Sequence, residues 1–219
     1  MVSRETSPEL PPWLAAHRDG LQAYRDLLAT AGVERGLIGP READRLWQRH
    51  ILNCAVVAEP ERSLLPPGSR VADVGSGAGL PGLVWALCRT DISMVLVEPL
   101  LRRATFLSEA VAHLGLQERV EVRRDRAEDL MRASTWPAVD VVTARAVAPL
   151  PKLLGWTVPL LVPGGRLVAL KGSSASTEVA SAEQEAQSLG VEGLTVDSLS
   201  APYLEQPTTV IIGRRRAAQ

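Results

Sequence analysis

From Arg70 onward short apolar runs alternate with segments of helical period, whereas the first sixty residues carry their apolar positions at helical spacing only. Residues 70–74, 93–97, 119–123, 138–143 and 165–171 read as buried strands. The intervening segments 80–89, 100–114 and 149–161 read as helices, with a short turn after Arg126. Beyond Lys171, a polar helix over about 175–189 precedes two segments rich in Val, Ile, Leu and Thr, 193–199 and 207–213. Regular alternation of strand and helix is the signature of a parallel, doubly wound sheet. The last pair closes it like a hairpin. The predicted class is α/β and Rossmann-like, with a seven-stranded, mostly parallel sheet. Near the N-terminus, Trp13, Leu14, Leu21, Tyr24, Leu27 and Leu28 mark helix, and Gly32, Gly36, Gly39 and Pro40 interrupt it. A second helix is expected from Arg41 to Glu59, with Trp47, Ile51 and Ala55 on one stripe and Leu46, His50, Asn53, Cys54 and Val57 on the next. Pro66-Pro67-Gly68 then separates a helical extension, 1–60, from the α/β domain, 61–219.

The most informative run is Val71 to Gly82, a strand ending in the carboxylate of Asp73 and followed by Gly75-Ser76-Gly77-Ala78-Gly79-Leu80-Pro81-Gly82. Glycines there permit positive φ and leave no Cβ between chain and ligand, so a nucleoside can lie against the turn. Gly77-x-Gly79-x-x-Gly82 also fits a dinucleotide fingerprint, but Asp73 would repel a pyrophosphate. S-adenosylmethionine (SAM) has no phosphate and carries a sulfonium and an amino group, which favours it over a nicotinamide dinucleotide.

Composition narrows the alternatives. With 219 residues and 46% hydrophobic content, the chain can bury one α/β core and a small appendage without disulfides or metal. A net charge of −1 supplies no bulk field for a polyanion, so nucleic-acid binding would need a local basic patch. Cys54 and Cys88 stand alone in apolar contexts, as buried thiols of a reducing compartment do. His17, His50 and His113 lack metal-ligand spacing, and neither a Walker lysine nor a serine elbow occurs. No apolar stretch is long enough to span a bilayer, and the expected location is the cytoplasm.

In open α/β sheets, ligands lie at the carboxyl ends of the strands. The second strand ends at Glu98, placed to accept hydrogen bonds from both ribose hydroxyls, and the third leads into Arg124 to Asp129, within reach of an adenine edge. At the end of the fourth, Thr143-Ala144-Arg145-Ala146-Val147 lacks the Asn/Asp-Pro-Pro-aromatic stretch of amine methylation and the cysteine of pyrimidine C5 methylation. An acceptor with its own lone pair, such as guanine N7, remains open; it needs no general base, and no catalytic residue of that kind is expected. Arg145 could hold a carboxylate, a phosphate or the guanine edge.

Taken together, Arg49-His50-Ile51-Leu52-Asn53, Asp73 to Gly82, Arg102-Arg103-Ala104-Thr105-Phe106-Leu107, Arg145-Ala146 and Leu170-Lys171-Gly172 resemble the small-subunit rRNA guanine-N7 methyltransferases, the RsmG or glucose-inhibited division protein B (GidB) family. The resemblance covers nearly the whole chain. It implies the class I SAM-dependent methyltransferase fold and methyl transfer to N7 of one guanine in 16S rRNA, with assembled small ribosomal subunits as the partner. It also implies SAM contacts at Gly75, Leu80, Ala127, Glu128 and Arg145; the strand-end and loop arguments add Asp73, Gly77 and Glu98. One departure is Asn53-Cys54 where the family commonly has Asp-Ser, which favours a hydrogen-bonding or packing role there over a charged one. For RNA contact the candidates are Lys171 first, then Arg49, Arg102, Arg103 and Arg126. Trp47, Trp85 and Trp156 are expected in the core, and His50 in a structural role. A monomer is expected. The competing readings are a small-molecule methyltransferase, a non-catalytic RNA-binding assembly factor and a nicotinamide-dependent oxidoreductase.

Overall fold

The computed structural model describes residues 8–130 and 136–217. Seven strands form one sheet: β1 (Arg70–Val74), β2 (Ser93–Val97), β3 (Val120–Arg123), β4 (Val139–Arg145), β5 (Leu161–Lys171), β6 (Val191–Leu199) and β7 (Thr208–Arg215). Their spatial order is β3-β2-β1-β4-β5-β7-β6, parallel through β5, with β7 antiparallel to β5 and to β6. The chain starts in the middle at β1, winds outward to β3 and returns to β4. That reversal between β1 and β4 opens a crevice at their carboxyl ends.

The α-helices are α1 (Pro12–Ala15), α2 (Arg18–Leu27), α3 (Asn53–Ala58), α4 (Gly82–Cys88), α5 (Leu101–His113), α6 (Ala127–Leu130), α7 (Leu150–Thr157), α8 (Ala175–Ser181) and α9 (Glu183–Ser188). Two expectations change here. The helix predicted over 41–59 is a 3-10 turn (Pro40–Arg45), a π-turn (Trp47–Leu52) and α3, while the polar helix over 175–189 is broken at Ala182 into α8 and α9. The α7 helix gives way to a 3-10 turn at Val158, where Pro159 has no N–H to continue the ladder.

The largest apolar cluster joins Leu14, Leu21, Tyr24, Leu28, Trp47 and Ile51 of the N-terminal segment to Leu83, Trp85, Leu96 and Phe106 of the α/β core. The Trp85 indole donates to the Cys54 carbonyl at 2.9 Å, and the Tyr24 hydroxyl donates to the Ala78 carbonyl of the glycine loop at 2.8 Å. The N-terminal helices therefore support the loop from behind. Cys54 and Cys88 are buried free thiols, and burial raises both above their ordinary pKa. Among the described residues no helix is long and apolar enough to cross a membrane.

Candidate active site

The glycine loop is built for close approach. Gly75 has φ +72°, and a Cβ there would come within 2.7 Å of a Val147 methyl; Gly79 has φ +96°, with the Leu83 side chain 2.4 Å from where its Cβ would be. Gly75 and Ser76 donate their N–H groups to the Val97 carbonyl, tying the loop to the end of β2. Glu98, only 2% exposed, accepts from Gly77 N–H and from Leu100 N–H, both at 3.0 Å, one through each carboxylate oxygen. Its carboxylate is thus aimed by backbone donors rather than left to swing.

Asp73 is placed differently from the strand-end expectation. It is fully buried and does not line the crevice; its Oδ2 accepts from Gly82 N–H at 3.0 Å, while Oδ1 has no hydrogen-bond partner. Its role is to brace the loop from beneath. A Cβ on Gly82 would sit 2.7 Å from that same oxygen, so the brace requires glycine. Burial pushes the Asp73 carboxyl up to about 7, against the lowering effect of the Gly82 bond. Because the folded pKa lies above the ordinary 3.8, the native state holds the extra proton between about pH 4 and pH 7, and stability from this group is lost as pH rises through that window. Urea unfolding of the wild type against Asp73→Asn should therefore show the wild type losing ground from pH 4 to pH 7, at up to about 1.4 kcal/mol per pH unit. A pH-independent difference would mean that the carboxyl titrates normally.

A cavity of about 820 Å³ occupies the crevice, and Gly75, Gly77, Leu80, Glu98, Ala127, Glu128 and Arg145 all line it. Arg103 and Arg126 are at its wall as well, with Arg103 Nη1 3.9 Å from Glu98. Sequence reasoning missed Leu37 and Ile38 of the N-terminal segment and Leu100, which is 54% exposed at the mouth. Trp156, expected in the core, packs half-buried against the apolar cluster around Val74, Val97 and Val142 and lines this cavity as well.

A second cavity, about 610 Å³, adjoins the first and shares Arg145, Ala146 and Val147 with it; Asn53, Lys171 and Glu178 complete its polar lining. Arg145 is the hinge between the two. Its Nη1 donates to Cys54 Sγ at 3.2 Å, and its Nη2 donates to the Arg49 carbonyl at 3.3 Å and lies 2.8 Å from His50 Nδ1. A guanidinium only donates, so Nδ1 must accept and the imidazole proton sits on Nε2, from which it donates to Glu42 at 3.1 Å. Burial, then the Arg145 charge, lowers the His50 pKa to about 4, which keeps the ring neutral. His50 is thus structural as expected, yet it forms part of the cavity wall.

Of the RNA candidates, Lys171 lines the second cavity and is ion-paired to Glu178 at 2.6 Å. Arg49 pairs with Glu42 at 3.1 Å, and Arg102 lies exposed on the first turn of α5, lining neither cavity. Asn53 donates to the Thr208 hydroxyl at 2.7 Å, a hydrogen-bonding role of the kind its replacement of Asp suggested. Among the described residues no group of three or more His, Cys, Asp or Glu could hold a metal ion.

The crevice, with Gly75 and Gly77 leaving no Cβ in its wall and the Glu98 carboxylate fixed at the end of β2, fits the nucleoside of SAM. Sheet order with a reversed β7 is that of the Rossmann-like methyltransferases. Solved structures agree on the fold: a SAM-dependent O-methyltransferase from Thermotoga maritima (TM-score 0.53, 18% identity, 81% of this chain and 71% of that one), the B. subtilis m1A22 tRNA methyltransferase TrmK (0.54, 14%, 75% and 66%) and the [4+2]-cyclase SpnF (0.58, 17%, 98% and 100%). A cyclase on the same scaffold shows that the fold does not dictate the reaction.

Family membership comes from sequence. Residues 17–208 match the model of GidB, rRNA small subunit methyltransferase G, and the chain belongs to that family. It is accordingly a SAM-dependent rRNA methyltransferase. Proteins named ribosomal RNA small subunit methyltransferase G are 58% identical over 200 residues in Salinispora tropica (89% of this chain, 80% of that protein) and 50% identical over 195 residues in Mycolicibacterium gilvum (89% and 83%).

Proposed function

We propose that the protein methylates N7 of a single guanine in 16S rRNA, acting in the cytoplasm as a monomer on the small ribosomal subunit. The observation that supports this reading best is the pair of cavities meeting at Arg145 and Ala146, one fitted to a nucleoside and the other flanked by Lys171. In the first, Glu98 would accept from the ribose, and Gly75, Gly77 and Leu80 would contact the rest of the SAM molecule, with Ala127 and Glu128 at the adenine end. When bound, SAM supplies a methyl group on a sulfonium, which leaves as a neutral thioether as the N7 lone pair forms the new bond and positive charge passes to the base. N7 carries no proton, so no residue has to act as base. His50, the nearest imidazole, has both nitrogens engaged. What the chain contributes is alignment and exclusion of water.

Purified protein incubated with radiolabelled SAM should label small ribosomal subunits, and strand scission at 7-methylguanine should map the label to one position. Label on bulk tRNA instead, or on no RNA despite SAM binding, would overturn the assignment.

A further inference from the structure

The second cavity holds a donor and an acceptor side by side. Glu178 Oε2 accepts from Leu150 N–H at 3.0 Å and from Lys171 Nζ at 2.6 Å; Oε1 accepts from the Ser174 hydroxyl at 2.9 Å. An ionised carboxylate has about four acceptor sites, so these three bonds fix Glu178 and leave one site on Oε1 open. Lys171 Nζ has three N–H donors, of which two are engaged, by Glu178 and by the Ala148 carbonyl at 2.8 Å. Burial alone would raise the Glu178 carboxyl, but the bonds from Lys171 and Ser174 hold it below its ordinary value, so it is charged at neutral pH. Adjacent walls are the apolar Ala146, Val147, Pro149 and Leu170.

We propose that this cavity receives the acceptor guanine and that Glu178 is its specificity-determining residue, Lys171 donating to O6 while Glu178 accepts from N1–H. This deepens the function proposed above and rests on it. On the six-membered edge guanine offers an acceptor next to a donor, and adenine offers the reverse: an amino donor next to the N1 acceptor. Both purines carry an N7 lone pair, so the edge has to discriminate between them. A missed match leaves a charged group unpaired in a half-buried wall. Glu178 has a second effect. As the bond to N7 forms, the purine gains positive charge and N1–H becomes a stronger donor, so the carboxylate holds the transition state more tightly than the substrate.

The test compares wild type with Glu178→Gln on small subunits carrying either guanosine or adenosine at the mapped acceptor position. With its oxygen in the Oε2 place the amide keeps the Leu150 and Lys171 bonds but has lost the charge, and its NH2 in the Oε1 place can donate to the Ser174 hydroxyl and to adenine N1. Single-turnover transfer to guanosine is expected to fall by roughly 10- to 100-fold, with the guanosine-over-adenosine ratio falling by at least about tenfold. Tm should fall somewhat because Lys171 loses its counter-charge, whereas SAM Kd from calorimetry should be unchanged. Lys171→Gln, able to accept from the adenine amino group, should narrow the same ratio and serves if Glu178→Gln does not fold. An unchanged base ratio in the folded variants overturns the proposal, and so does a loss of rate that merely follows a loss of SAM affinity and is equal for both bases. Wild-type protein that binds SAM yet labels no subunit would overturn the underlying function itself.

Discussion

Arg145→Ala is expected to lower methyl transfer to small ribosomal subunits by about a hundredfold or more, the scale of losing a preorganised charged donor from an active site. The side chain borders both cavities and makes three contacts across 91 to 96 residues of sequence, to Cys54, Arg49 and His50. Removing it leaves His50 Nδ1 and the Arg49 carbonyl without their donor and opens a passage for water between the cavities. Arg145→Lys should restore little, because one ammonium on a flexible stem cannot reproduce a planar fork reaching three separate acceptors. Single-turnover labelling together with SAM calorimetry checks this. Wild-type rates from the alanine variant would reduce Arg145 to a surface tie.

The largest effect on stability is expected at Trp85. Its side chain is fully buried in α4 beneath the glycine loop, and its indole is hydrogen-bonded to the Cys54 carbonyl at the start of α3. Trp85→Ala should cost about 3–5 kcal/mol in urea unfolding, from lost burial and the cavity left behind. Trp85→Phe keeps most of the apolar surface and loses only the indole bond to a carbonyl that also serves α3, and should cost about 1 kcal/mol. Near-equal losses for the two would locate the stabilisation in the hydrogen bond rather than in packing. Since Trp85 connects the N-terminal segment to the α/β core, SAM affinity of the alanine variant should weaken too, checked by the same calorimetry.

The strands could be read from the chain because each is a short apolar run between breakers; β1 and β2 end where the pattern predicts. The stretch from Trp47 to Ala58 was harder. Its polar residues stop at Asn53 and Cys54 to Ala58 are all buried, so no polar stripe continues through it, and a π-turn looks like an α-helix. For the site, the glycine loop and Glu98 were visible because a strand end followed by glycines has a defined place in this kind of sheet. Asp73 was misplaced because position along a strand does not say whether a carboxylate faces the ligand or the underside of its own loop. Trp156 packs against the core as its apolar helix face suggests, and only its place on the cavity wall was hidden. The Glu42–His50–Arg145 chain and the Lys171–Glu178 pair depend on tertiary contacts whose partners carry no shared motif.

Ala146 has φ +54°, a left-handed conformation uncommon for a residue with a Cβ, and it stands where the two cavities meet. Glycine would adopt that backbone more easily and would also let it wander. In a displacement that succeeds only when donor and acceptor atoms are collinear within a fraction of an ångström, a hinge that wanders loses rate. Alanine carries a small steric penalty in that conformation, so the packing around it has to hold it there, and the boundary between the two cavities is thereby confined to a narrower range than glycine would leave it.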